Sequence, residues 1–291
     1  MSSIRISSPA KINLGLKILG LREDGFHEVQ THLVQVDLFD QFLIGKRKRR
    51  IDIFVDNSSI KGKHNIIYKA ADLLREEFGD KELGATIHLE KKIPIGAGLG
   101  GGSGNAAFVL WFLNKLWGIN YPLKKLESLA KKLGADVPFF LGGPSYIFAG
   151  KGDEKLYPCK FSPRYYVLIV KPPISLYTHE VYGWSREKIL KSRIENTQLS
   201  RLSKRYDCRE NDLEEVVFLR YPFLREYKNK LLEFGSKLAL LSGSGSALFG
   251  IYSRKNDLIN AFNFFSSKKK LWVSVVRPLQ GSILKNSNFK F

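Results

Sequence analysis

The chain has 291 residues, 44% of them hydrophobic, which is enough for one large or two medium domains with real cores and excludes a largely disordered protein. Its two cysteines, Cys159 and Cys208, exclude a disulfide scaffold, and the absence of a basic-then-apolar leader or of eighteen consecutive apolar residues reads as a cytoplasmic protein with no membrane span. The formal charge of +19 sits in clusters at Lys46–Arg50, from Arg186 to Arg205 and at Lys268–Lys270; the first lacks the interleaved aromatics of a nucleic-acid surface, so these runs read as solvated faces, with a nucleic-acid-binding protein as the rival.

In chain order, Ile4–Ile6, Val34–Ile44 and Ile51–Val55 alternate or carry β-branched residues and predict strands. Asn65–Phe78 has a helical apolar period stopped by Gly79. Thr86–Glu90 alternates like a strand, and Ala106–Trp117 is an apolar run suited to a buried helix. Pro122–Leu133 is amphipathic, with Gly134 as its stop, and Ser145–Ala149 reads as a returning strand turned at Gly150–Gly152. A boundary is expected near Phe161-Ser162-Pro163, dividing the chain into residues 1–162 and 163–291. Beyond it come a strand at Tyr165–Val170, helical material over 178–234, strands at Leu238–Leu241 and Ala247–Tyr252, a helix at Asp257–Phe265 and a strand at Leu271–Val276. That order predicts a split βαβ, ferredoxin-like unit with a frayed tail after Pro278. The class is α+β, with the N-terminal half mixed α/β.

The most informative segment is Ile93–Ala107, in which six of fifteen residues are glycine. A strand, a glycine loop and a helix start make an anion site: glycine lets backbone N–H groups approach phosphate oxygens, and the helix's first turn adds free donors. No lysine follows the glycines, so this is not a P-loop. Gly96, Gly98 and Gly101 satisfy a dinucleotide fingerprint, but no second strand ending in an acid follows. An unliganded flexible turn is the plain alternative, at odds with the entropy lost in ordering six glycines.

The loop fits Pro-x-x-x-Gly-Leu-Gly-Ser-Ser-Ala-Ala and resembles the kinases named for galactokinase, homoserine kinase, mevalonate kinase and phosphomevalonate kinase. Two further stretches share the resemblance in the family's order: Pro9-Ala10-Lys11-Ile12-Asn13-Leu14-Gly15-Leu16, followed by Asp24-Gly25-Phe26-His27-Glu28, and Ser242-Gly243-Ser244-Gly245-Ser246-Ala247. The triple glycine is similar to the branch that acts on 4-diphosphocytidyl-2-C-methyl-D-erythritol. The resemblance implies a two-domain kinase using ATP and Mg²⁺ to phosphorylate that compound's 2-hydroxyl on the methylerythritol phosphate route to isoprenoid precursors. A monomer or weak homodimer is expected, and the basic clusters are expected to bind nucleic acid only weakly and in a salt-labile way. Mevalonate and homoserine are the alternative acceptors within the family.

The resemblance also assigns roles. Asp136 would be the catalytic base, although Asp two residues before Pro138 reads by itself as a helix N-cap. Lys11 would stand beside it, although a lysine on an alternating strand is ordinarily exposed. Asn65, Lys92, Pro94, Gly96, Gly98, Leu99, Gly100, Gly101, Gly102, Ser103 and Gly104 would hold ATP, with Gly243, Ser244, Gly245 and Ser246 against the phosphate loop. Asn13, Phe26, His27, Thr178 and Tyr182 would form the cytidyl pocket, Phe26 and Tyr182 sandwiching the base while His27 reads its edge. The metal ligands stay open, Mg²⁺ entering on the ATP phosphates. His27 and His32 are five apart, not on one helical face, which excludes a helical zinc motif. Gly104 stands where the family usually has a second serine. If its N–H is the phosphate donor, Gly104→Ser is expected to be tolerated.

Overall fold

A computed structural model describes residues 3–56, 62, 64–192 and 209–286, and the architecture below is that of the described residues. The N-terminal sheet is built on a long antiparallel ribbon of β1 (Ser3–Leu21) and β2 (His27–Lys48). Both strands outrun the sequence expectation of Ile4–Ile6 and Val34–Ile44. Register shifts at Pro9/Ala10, Asn13/Gly15 and Ile18/Gly20 explain this. The single extra residues Leu14 and Leu19 each reverse which residues face inward, and both faces are buried from Ser8 to Leu16, so the alternation that betrays a strand is broken.

The other edge of β2 carries two partners. Its distal half pairs with β4 (Leu83–Glu90), which β3 (Ile51–Val55) joins in parallel. Its proximal half pairs with β5 (Ser145–Ala149), followed by β6 (Glu154–Pro158). Strand β6, mostly exposed and with little alternation, has no sequence signal. Four helices cover this sheet: α1 (Ile66–Phe78), α2 (Gly101–Leu116), α3 (Leu123–Leu133) and α4 (Val137–Gly142). The stripe Ile67, Ala70, Ala71 and Leu74 buries α1, which Asn65 caps by accepting the Ile67 N–H at 2.9 Å and Gly79 ends in the left-handed conformation. Helix α2 begins inside the glycine run, five residues before the apolar stretch that signals it.

The second sheet contains β7 (Tyr166–Lys171), β8 (Leu238–Leu241), β9 (Leu248–Tyr252) and β10 (Trp272–Val276), in the order β10-β7-β9-β8 and antiparallel throughout. With α5 (Thr178–Ser192), α6 (Glu214–Arg220), α7 (Pro222–Glu233) and α8 (Lys255–Ser266) on one face, this is the split βαβ arrangement. The other face packs on the ribbon: Val167, Ile169, Phe249 and Ile251 share a core with Ala10, Ile12, Val34 and Val36. The ribbon is thus common ground for both sheets, and the cleft between them is lined from both. The expected fraying after Pro278 is not what forms up to residue 286. Pro278 bridges Val36, the Leu279 N–H donates to Gln35 at 2.9 Å, and Leu284 of the short α9 (Ile283–Asn286) enters the N-terminal core.

Candidate active site

A cleft of about 700 Å³ runs along the glycine loop, bounded by Pro94–Ser103 on one side and by Thr178, Tyr182, Gly243 and Ser244 on the other. The loop spans from the end of β4 to the start of α2. Gly100, at φ +67°, lets the chain turn into the helix; a Cβ there would lie 2.8 Å from Lys11 Cγ. A Cβ on Gly98 would lie 1.9 Å from the Ser242 carbonyl oxygen, so only glycine permits that approach. The first intrahelical bond of α2 runs from the Gly104 N–H to Gly100 at 2.8 Å. The N–H groups of Gly101, Gly102 and Ser103 therefore precede the helical ladder and form an anion cradle at its positive end.

Beside the cradle lies an ion pair. Lys11 Nζ is 3.4 Å from Asp136 Oδ2 and donates to Asn13 Oδ1 at 2.5 Å. Lys11 is 3% exposed, not the exposed strand lysine that alternation alone suggests. The ribbon is covered on both of its faces here, so that every residue from Ser8 to Leu16 is buried, and the Lys11 backbone N–H donates to Leu99 at 2.9 Å, stitching the strand to the loop. Asn13 is held in turn: its Nδ2 donates to Thr31 Oγ1 at 2.9 Å, whose hydroxyl donates to Gly15 at 2.8 Å. Asp136 precedes α4 but makes no side-chain capping bond, so the cap role is not the one its carboxylate plays. It faces Lys11 instead, with 35% of its side chain open to the cleft.

The third motif closes on the loop from the second sheet. Ser242 Oγ donates to Gly98 at 2.9 Å, and the Ala247 N–H donates to Ala97 at 3.1 Å. Ser244 Oγ is 3.1 Å from Thr178 Oγ1. Asn211 donates to Leu241 at 2.9 Å and Gly243 at 2.7 Å, bracing the turn from behind.

On the far wall, the His27 and Tyr182 rings meet with centroids 5.0 Å apart. Burial, with the charge of Arg186, pulls the His27 pKa below its usual value, so the ring is neutral at neutral pH. Burial keeps Tyr182 a neutral phenol. His27 Nε2 lies 3.3 Å from Ser185 Oγ. Phe26 stands 57% exposed, with the Lys151 ammonium 4.3 Å over its ring and Lys151 itself lining the cleft. Phe26 is thus a rim residue rather than a cleft wall.

Two expected ATP residues lie elsewhere. The Lys92 side chain is turned to Glu90, at 3.2 Å, and away from the cleft; its neighbour Lys91 lines the cleft instead. Along a strand end, a one-residue displacement reverses the face. Gly104 is buried, and its N–H is consumed within α2, so it is no phosphate donor. A Cβ there would lie 2.9 Å from both Pro9 O and Ser8 Oγ, so it is glycine for packing, and the expected tolerance of serine does not follow. Asn65 and Pro94 both line the cleft. Sequence reasoning missed Lys91, Asn105 and Lys151, which also line the cleft. Of the basic clusters, Arg47 pairs with Asp52 and Arg49 with Glu82, while most of the run from Arg186 to Arg205 lies outside the described residues. Among the described residues no helix is long and apolar enough to cross a membrane.

A glycine cradle at a helix start, a Lys–Asp pair beside it and a cleft shared by two sheets are the equipment of an ATP-dependent small-molecule kinase. Residues 65–144 match the GHMP kinases N-terminal domain and residues 194–270 the GHMP kinases C-terminal domain. A 4-diphosphocytidyl-2-C-methyl-D-erythritol kinase from Thermodesulfovibrio yellowstonii is 39% identical over 280 residues, covering 93% of this chain and 96% of the relative. Its namesake from Alkaliphilus metalliredigens is 39% identical over 274 residues, 91% and 94% of the two chains. A crystal structure of 4-(cytidine 5'-diphospho)-2C-methyl-D-erythritol kinase superposes with a TM-score of 0.74 at 30% identity, covering 94% of this chain and 99% of that one. Homoserine kinase from Cytophaga hutchinsonii, at 18% identity and a TM-score of 0.69 over 97% and 96% of the chains, shares the fold. The chain belongs to the GHMP kinases, in the family of 4-diphosphocytidyl-2-C-methyl-D-erythritol kinases.

Proposed function

We propose that the protein transfers the γ-phosphoryl group of ATP to the 2-hydroxyl of 4-diphosphocytidyl-2-C-methyl-D-erythritol, on the cytoplasmic route to isoprenoid precursors. The observation that carries this reading is the position of Lys11–Asp136 in one cleft with both the α2 cradle and Tyr182. The triphosphate lies at the N-terminus of α2, where Gly101, Gly102 and Ser103 offer N–H donors. The cytosine packs against Tyr182, and neutral His27, its Nε2 engaged by Ser185, offers its other ring nitrogen to the base edge. The acceptor hydroxyl lies at Asp136. As its oxygen bonds to the γ-phosphorus, its proton passes to the carboxylate, the bond to the β–γ bridging oxygen breaks, and ADP leaves. The Lys11 ammonium stabilises the negative charge that gathers on the transferring group.

Among the described residues no group of three or more His, Cys, Asp or Glu side chains converges on one point, so Mg²⁺ fits this chain as a passenger on the triphosphate rather than in a protein cage. Ser103 and Asp136, which both line the cleft, would be placed to meet it, and the ion would neutralise phosphate charge. The same reading divides the chain into a catalytic unit over 1–162 and a ferredoxin-like unit over 163–291, and takes the enzyme as a monomer or weak homodimer. The test is ADP release from ATP with the cytidyl alcohol, mevalonate, homoserine and galactose in parallel. Rapid turnover of the cytidyl compound alone is expected; equal or better turnover of any other sinks the assignment.

A further inference from the structure

Asp40 is fully buried in β2, and no catalytic scheme above uses it. Its two oxygens take four donors. Oδ1 accepts the backbone N–H groups of Lys92 and Ile93, both at 2.8 Å. Oδ2 accepts Asn105 Nδ2 at 2.9 Å and the Lys91 ammonium. Residues 91–93 lead into the glycine loop, and Asn105 lies in α2 just after it. One carboxylate therefore ties together the two ends of the segment that cradles the phosphates. A loop rich in glycine has many conformations to lose, and fixing its ends removes much of that cost before the ligand arrives.

Two side chains that line the cleft depend on the same anion. Lys91, only 8% exposed at its side chain, is held with its charge toward the helix start; a Cβ on Gly101 would lie 3.2 Å from its Nζ. Asn105 must turn Nδ2 to the carboxylate, which leaves its buried Oδ1 without a hydrogen-bond partner among the described residues. Such an acceptor lining a cleft is costly unless a ligand or water completes it. We infer that Asp40 is a positioning residue for the nucleotide: by clamping residues 91–93 to Asn105 and orienting Lys91, it sets the cradle in its ATP-binding form. The inference deepens the proposed kinase reading and rests on it.

Asp40→Asn is the first test. It keeps one acceptor oxygen but sets an NH₂ group against Lys91 and Asn105, both donors. ATP affinity, measured by direct titration without acceptor, is expected to fall about ten- to a hundredfold, the scale on which misplaced binding groups act. The KM for the acceptor alcohol should stay within about twofold on the same scale. Unchanged ATP affinity in a folded Asp40→Asn protein overturns the inference, as does an equal loss for ATP and acceptor, which marks a residue of the fold alone. If Asp40→Asn does not fold, Asp40→Asn/Lys91→Met removes the stranded ammonium and is compared with Lys91→Met. A further drop in ATP affinity of about tenfold is expected, and equal affinities overturn the inference. A wild-type protein that binds ATP but ignores the cytidyl alcohol sinks the substrate assignment and leaves this test standing. One that does not bind ATP sinks both.

Discussion

Gly104→Ser separates a packing role for this glycine from a phosphate-binding one. The backbone accepts the change, since Gly104 is helical without positive φ, and serine gains about 0.5 kcal/mol over glycine in helix propensity. The space does not accept it. The new Cβ would lie 2.9 Å from Pro9 O, 2.9 Å from Ser8 Oγ and 3.2 Å from Phe140 Cε1. Pro9 O belongs to the ribbon backbone and Phe140 is fixed in the core, so strain of about 1–3 kcal/mol follows from overpacking. The net loss is about 0.5–2.5 kcal/mol, or roughly 1–4 °C in Tm for a chain of this size. Thermal unfolding of the two proteins measures it. ATP affinity should change less than the stability does, because the Gly104 N–H already bonds Gly100. Ser8 supplies the control. Its buried Oγ has no hydrogen-bond partner among the described residues and fills the space a serine at 104 needs. Ser8→Ala should therefore rescue part of the loss, with a coupling of about 0.5–1.5 kcal/mol in the double-mutant cycle. A Gly104→Ser protein as stable as wild type, with ATP binding abolished, refutes the packing argument and restores the phosphate role.

Four further outcomes are expected. Asp136→Asn should lower kcat about 10²–10⁴-fold, the usual worth of a general base, with Lys11→Met of similar order; full activity in Asp136→Asn at unchanged Tm would remove it from the chemistry. Tyr182→Ala should raise KM for the cytidyl substrate by about 1–3 kcal/mol of lost stacking and leave KM for ATP alone, so a selective ATP defect moves Tyr182 to the nucleotide side. Burial pushes the His32 pKa from 6.5 down to about 4, so the unfolded chain binds the extra proton first: stability is full above pH 6.5 and falls as pH drops towards 4, by at most about 3 kcal/mol, and His32→Gln should flatten that slope in urea denaturation across the window. Replacing Arg47, Lys48, Arg49 and Arg50 with serine should leave kinase activity intact and remove any weak, salt-labile nucleic-acid binding; tight binding at physiological salt that survives the change contradicts the solvated-face reading.

What the sequence disclosed depended on whether a residue's meaning was local. The helical period over Asn65–Phe78 and its glycine stop are set by neighbours within a few positions, and so is the ferredoxin-like order of the second half; the cap at Asn65 was not read. The ribbon was largely hidden because its bulges interrupt the two-residue period that would reveal it. Cover on both faces of the ribbon buries Lys11 as well, so the packing that removes the alternation also creates the setting of the Lys11–Asp136 pair. Which of two adjacent lysines lines the cleft is hidden for a related reason: Lys91 and Lys92 turn to different sides, and pairing of Lys91 to Asp40, 51 residues away, decides it.

Asp40 and Gly104 mark the limit of local reasoning from opposite sides. Asp40 has its partners far away in sequence, and its four hydrogen bonds exist only once β2, residues 91–93 and α2 meet. Gly104 carries a motif position whose usual meaning in the family is a serine hydroxyl, yet in this chain a backbone oxygen and the Ser8 hydroxyl of β1 occupy that space. A motif specifies the backbone path of a phosphate loop well, because glycine's freedom is a property of the residue itself. It specifies side-chain space poorly, because that space belongs to whichever strand packs behind the loop. Substitutions at the loop's front, such as Gly98, should therefore behave alike across relatives. Those at its back, such as Gly104, should depend on the partner at position 8, and exchanging both residues together is the form in which that dependence becomes measurable.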